Sequence, residues 1–168
     1  MPFSEKLAAV SIGGKWGFID HLGNFTIEPQ YDDSNGFRDG LAPVRSGATW
    51  GFIDKTGAFA IEPRFEAAHS FSEDGLADVK IGGRWGYIDR KGNLVVPAEF
   101  DETGEMHDGL APARLMTKWG YIGRDGSFRI KPIFENAKPF ESGLAEVTVD
   151  NRMGYVNSRG VTIWRARD

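Results

Sequence analysis

Trp50-Gly51-Phe52-Ile53-Asp54-Lys55-Thr56-Gly57-Ala58-Phe59-Ala60-Ile61-Glu62-Pro63-Arg64-Phe65 decides the fold, because it reads as two strands and the turn between them. Trp50 through Ile53 are aromatic, β-branched or glycine, which suits a pleated, buried surface. Asp54 accepts local backbone hydrogen bonds, and Gly57 supplies the positive φ that closes a short hairpin loop. After the turn, Phe59, Ile61 and Phe65 fall on one face, with Ala60, Glu62 and Arg64 on the other. Pro63 cannot donate to a ladder, so this second strand is expected at a sheet edge. The Trp-Gly strand is different: Trp50 and Phe52 face one way, Gly51 and Ile53 the other, and neither side is polar. It must be covered on both faces. Upstream, Leu41-Ala42-Pro43-Val44-Arg45 is a third extended segment, ended by a turn at Ser46-Gly47-Ala48.

The same pattern recurs along the chain. Trp16-Gly17, Trp50-Gly51, Trp85-Gly86 and Trp119-Gly120 are spaced by 34, 35 and 34 residues, and Met153-Gly154 follows 34 further on. Leu7, Leu41, Leu76, Leu110 and Leu144 keep the beat, as do Gly23, Gly57, Gly92, Gly126 and Gly160. Tyr31, Phe65, Phe100 and Phe134 follow in phase, and behind them Phe37, Phe71, Met106 and Phe140. Fixed-period self-similarity of this kind defines a repeat architecture. The one extra residue lies between Phe71 and Leu76, in a turn, where it does not invert a strand.

Lys-Trp-Gly-Phe-Ile-Asp, Thr-Trp-Gly-Phe-Ile-Asp, Arg-Trp-Gly-Tyr-Ile-Asp and Lys-Trp-Gly-Tyr-Ile-Gly resemble the WG (KWG) repeat of bacterial proteins. A trailing Gly-x-x-x-Ile-x-Pro-x-Phe/Tyr in three copies strengthens the likeness, while the third copy places its proline one residue early at Pro97. The resemblance spans essentially the whole chain. It implies a β-strand repeat and brings no catalytic residues with it.

The expected fold is therefore all-β: one domain, 1–168, of five tandem repeats of about 34 residues near 3–36, 37–70, 71–105, 106–139 and 140–168. Each unit would hold about three short antiparallel strands and be sandwiched between its neighbours. A small propeller-like ring is favoured because the five units fill the chain without added caps. An open β-solenoid is the alternative.

Composition narrows the function classes. Twenty-two glycines among 168 residues fit many tight turns. A net charge of −4, from 20 basic and 24 acidic residues with no block of one sign, argues against nucleic-acid binding. Cysteine is absent, so disulfides and thiolate chemistry are excluded. No apolar run approaches the roughly 20 residues of a membrane span, and the N-terminus lacks a signal-peptide pattern, so a soluble, cytoplasmic protein is expected.

Candidate sites follow from phase. Trp16, Trp50, Trp85 and Trp119, with Gly17, Gly51, Gly86, Gly120 and Gly154, are assigned to the repeat core. His21, His69 and His107 occupy three different positions of the repeat, so no metal or cofactor site is expected. Asp20, Asp54 and Asp89 give way to Gly123 and Asn157, a substitution pattern that suits turns. Two charge series stay in phase: Asp32, Glu66, Asp101 and Glu135 after the aromatic, and Lys15, Arg84, Lys118 and Arg152 before the Trp or its replacement. They form a candidate binding rim, or else pair across the units. None of the phosphate-loop, dinucleotide or nucleophile-elbow motifs occurs. The expectation is a non-catalytic scaffold that binds a protein or peptide through repeated surface loops. A lectin-like module for carbohydrate or a small ligand, with equivalent sites between repeats, is the alternative.

Overall fold

The sandwiching demanded by the two-faced Trp-Gly strand is what the chain builds. The computed structural model describes residues 3–166, in which every regular element is a β-strand. The first sheet contains Ala8–Ile12, Lys15–Ile19 and Phe25–Tyr31. The second contains Asp33–Ser34, Ala42–Ser46, Thr49–Ile53 and Phe59–Phe65, and the third Ala67–Ala68, Ala77–Ile81, Arg84–Ile88 and Leu94–Phe100. The fourth contains Glu102–Thr103, Leu110–Leu115, Lys118–Gly123 and Phe128–Phe134, and the fifth Asn136–Ala137, Leu144–Val149, Arg152–Asn157 and Thr162–Arg165. Strands within a sheet are antiparallel and lie in chain order, which puts the proline-bearing strand at an edge.

Four sheets thus carry a short fourth strand beyond the three expected. In these it is the continuation of the preceding proline strand, or its equivalent, after a single residue: Glu66 alone separates Phe65, paired with Trp50, from Ala67, paired with Lys80. One extended stretch therefore serves two sheets. The sheets accordingly begin a few residues before the boundaries expected from the repeat alone.

Four apolar clusters join the five sheets in chain order. Phe18, Ile27 and Tyr31 of the first pack on Ala42, Val44 and Ile53 of the second, and Phe52, Ile61 and Phe65 meet Ala77, Val79 and Ile88 of the third. The Trp-Gly strand thus sends its Phe or Tyr forward and its Ile backward. Phe37, Phe71 and Phe140, from the segments between first and second strands, lie against Phe18, Phe52 and Tyr121 at 4.7, 5.0 and 4.7 Å. The phased tryptophans are only half-buried, and Trp16, Trp50 and Trp119 pack against the cluster margins. Among the described residues no cluster joins the fifth sheet to the first, and Phe25 and Trp164 remain exposed at the two ends. The arrangement is a propeller-like series of open sheets.

The glycine after each tryptophan has a steric cause, and the crowding comes from its own unit. Between the pairs Trp50↔Phe65 and Phe52↔Ile61 the partner strand carries extra residues, which bulge over Gly51. A Cβ there would lie 2.6 Å from the Ile61 carbonyl oxygen and 2.7 Å from the Pro63 nitrogen. Gly17, Gly86 and Gly120 meet the equivalent oxygens at 2.5 Å. The fifth sheet lacks the proline bulge, and Gly154 meets its nearest atom at 3.0 Å. Gly51→Ala should cost about 1–3 kcal/mol by overpacking, and Gly154→Ala measurably less. Equal losses for the two in urea denaturation would contradict this account.

Candidate functional site

Each sheet has two ends, and the phased charges gather at one of them. Asp32, Glu66, Asp101 and Glu135 are the single residues at which the chain crosses from one sheet to the next. Their main-chain N–H groups already donate to the following sheet, Glu66 to the Lys80 carbonyl at 3.0 Å and Asp101 to that of Arg114 at 2.9 Å. Their carboxylates clamp two units together. Asp32 accepts from Lys15 Nζ at 2.6 Å and from the Gly47 amide of the next hairpin at 2.7 Å. Glu135 accepts from Lys118 at 3.0 Å and from the Asn151 amide, and Asp101 bonds Arg84 and the Met116 amide. Glu66, whose unit carries Thr49 in place of a cation, keeps the amide bond to Gly83 at 3.1 Å. Arg152 begins its strand at the same end. The expected rim is thus assembled as a row of inter-sheet clamps. Hydrogen bonds from Lys15 and Lys118 hold the Asp32 and Glu135 carboxyls below the usual range.

The opposite end carries a second phased series that the sequence reading missed. At three joints the residue two before the phased leucine meets the residue after the hairpin Asp, or its replacement, one unit on. Glu5 binds Lys55 at 2.9 Å, Asp39 binds Arg90 at 3.1 Å and Asp74 binds Arg124 at 2.9 Å. Glu5 and Asp74 also accept from the amides of Gly40 and Gly109. The partners lie about fifty residues apart, roughly one and a half repeats, and that recurring offset was the signal available. The hairpin residues Asp20, Asp54 and Asp89 accept backbone amides two and four residues on, as Asn157 does, which fixes their role as turns.

Between first and second strands, the connecting segments of successive units lie side by side. Arg38 of the second unit reaches Glu105, two crossovers further on. A cavity of about 300 Å³ there is lined by Asn35, Arg38, His69, Ser70, Asp78 and Glu105. Asp78, only 3% exposed, stands where other units have Ala9, Pro43, Pro112 or Glu146. Its Oδ2 accepts from Thr103 Oγ1 at 3.0 Å and lies 2.7 Å from His69 Nδ1. The imidazole stacks on Trp85 at 4.9 Å. The hydrogen bond to Asp78 raises the His69 pKa, against the opposing pull of burial. A larger cleft of about 520 Å³ lies among the turns of the third, fourth and fifth units, lined by Glu73, Asp74, His107, Asp108, Phe140, Glu141 and Ser142. Among the described residues no group of three or more His, Asp or Glu side chains is placed to hold a metal ion, and no helix is long and apolar enough to cross a membrane.

Stacked sheets of this repeat, joined by paired charges, define a tandem β-repeat protein of propeller-like fold. The chain belongs to the WG containing repeat family, which matches it at residues 1–16, 16–48, 50–85, 85–115 and 119–152. No curated protein matches it. Among solved structures it is similar to Kluyveromyces lactis Hsv2, at 11% identity and TM-score 0.58, over 97% of this chain and 60% of that one. It is similar also to a eukaryotic initiation factor, at 9% identity and TM-score 0.62, over 94% of this chain and 51% of the other. The chain thus spans little more than half the length of these structures, and the likeness is one of fold.

Two titrations and a variant pair check the electrostatics. With its pKa above the ordinary value of about 6.5, His69 adds stability that is complete below that value and lost as pH rises through the folded pKa. NMR should place its midpoint above 6.5, returning toward it in Asp78→Asn; a wild-type midpoint at or below 6.5 would remove the dyad. Asp32 and Glu135 act with the opposite sign, adding stability above the ordinary carboxyl pKa that is lost as pH falls through their folded values. Asp32→Ala should lower the melting temperature more than Lys15→Ala, since the carboxylate also serves the Gly47 amide. Equal effects would mean that the clamp is only a surface ion pair.

Proposed function

We propose that the protein is a non-catalytic binding module that engages a protein or peptide partner through the connecting segments between its first and second strands. The observation that carries this reading is the contrast between the two locations. At the crossover end the phased carboxylates are consumed in joining sheets. Along the connecting segments polar side chains line two open clefts, of both signs in the smaller and mainly acidic in the larger, on loops held by a rigid scaffold. The segments vary in sequence from unit to unit, Asn35, His69, Gly104 and Lys138 sharing one position, while the buried Phe37, Phe71, Met106 and Phe140 hold them at constant depth. Constant support under variable polar residues suits recognition of an extended, irregular partner better than repetition of one small ligand.

The lectin-like alternative would need equivalent open aromatic platforms. The phased tryptophans are half-buried, and Trp85 is covered by His69.

Panning a displayed peptide library on the purified protein tests the proposal. Enriched peptides are expected to lose at least tenfold in affinity when Ser70→Arg or Glu141→Lys is introduced, and to keep it in Lys15→Ala. If no peptide is enriched while a glycan array yields specific binders, the lectin-like reading replaces this one.

A further inference from the structure

We infer that the joint between the fourth and fifth sheets takes a lysine or arginine side chain from a partner peptide, in the place of a cation that the chain itself supplies at the three preceding joints. The inference rests on the peptide-binding reading above and names the chemistry of one of its subsites.

The ligand is visible in the other joints. There, the acid two residues before the phased leucine holds Lys55 at 2.9 Å, Arg90 at 3.1 Å or Arg124 at 2.9 Å. At the fourth joint the acid is Asp108, and the residue in phase with those cations is Ser158. The fifth hairpin is seated like its predecessors. Gly160 has a φ of +76° and lies against Ile130, its would-be Cβ 3.2 Å away, as Gly57 lies against Ile27 at the same distance. Asn157 also closes its loop with the same hydrogen bonds as Asp54. Position 158 is therefore presented to the fourth joint, but a serine is too short and has no charge. Asp108 is exposed and has no hydrogen bond or ion pair among the described residues.

The surroundings favour a cation. Asp108 opens on the cleft of about 520 Å³ with Glu73, Asp74 and Glu141, and His107 is the only cationic-capable side chain in the lining. Asp74 already holds Arg124, whereas Glu73 and Glu141 make no side-chain bond among the described residues. Like charges gathered in one concavity raise its potential for a cation. A carboxylate cluster alone would be ordinary solvated surface. The three occupied joints show what this one is built to hold.

The test adds the missing charge in cis. A labelled nonapeptide with three arginines, and its citrulline counterpart, are titrated against the protein by NMR at low salt. The arginine peptide should shift the amides of 107–109 and 141–143, the citrulline peptide should not, and Ser158→Lys should weaken binding at least tenfold while raising the melting temperature. Ser158→Gln, similar in size without charge, should bind as wild type does. Asp108→Asn should lose binding without losing stability, because it removes no intramolecular pair. If Ser158→Lys binds the arginine peptide as tightly as wild type, the inference fails even where selected peptides bind elsewhere on the connecting segments. If neither arginine peptide nor selected peptides bind any variant, the peptide-binding reading fails with it.

Discussion

A strand that is apolar on both faces cannot be stable in a sheet standing alone, and the rest of the structure depends on that constraint. In the second sheet Phe52 and Ile53, adjacent in sequence, enter two different cores. Each sheet is therefore the floor of one cluster and the roof of the next, and stability resides in the interfaces. The proline bulge belongs to the same solution. It ends regular pairing at the edge strand and draws backbone over the Trp-Gly glycine. It also brings Phe65 into register with Trp50 just before the chain crosses.

The crossing residue explains why charge is repeated at all. Glu66 stands between two strands of different sheets, so its backbone conformation sets the relation of one sheet to the next. A carboxylate there can reach the hairpin amide of the following unit while a lysine or arginine of its own unit neutralises it. Such ion pairs at an exposed surface contribute little by themselves. Their value lies in geometry: they fix an angle repeated along the array, on which the packing of every later interface depends. The second series, from Glu5 to Arg124, ties the opposite end by the same device.

Much of this was legible in the residues. The repeat, the Trp-Gly strand, the edge proline and the turn carboxylates each carry a local chemical signature, and local signatures survive in one sequence. The pairing of Lys15 with Asp32 was open in the phases, because both charges recur in step. The link from Asp39 to Arg90 was hidden, since its partners belong to different units and their separation is not a whole number of repeats. The two-residue strand Ala67–Ala68 was hidden for another reason: its pattern is continuous with the strand before it, and only the third dimension divides them. The Asp78–His69 dyad departs from the repeat, so a search for phased residues passes over it.

The fifth unit shows how the constraints are coupled. It lacks the proline, so its last strand pairs without the wide bulge: Gly154 opposes Arg165 directly, and the crowding that demands glycine elsewhere is relaxed. Gly154 is thus retained beside Met153 at the place where the backbone approach is loosest. What the unit keeps is everything that faces backward. Val156 enters the fourth interface, Gly160 sits against Ile130, and Glu135 still reaches the Asn151 amide. What it relaxes faces forward, with Met153 for Trp and Tyr155 only half-buried beside Trp164. The change at Ser158 is the exception, since that position faces backward and its neighbours are conserved in form. A backward-facing position that alone abandons the pattern is where packing has ceased to explain the sequence.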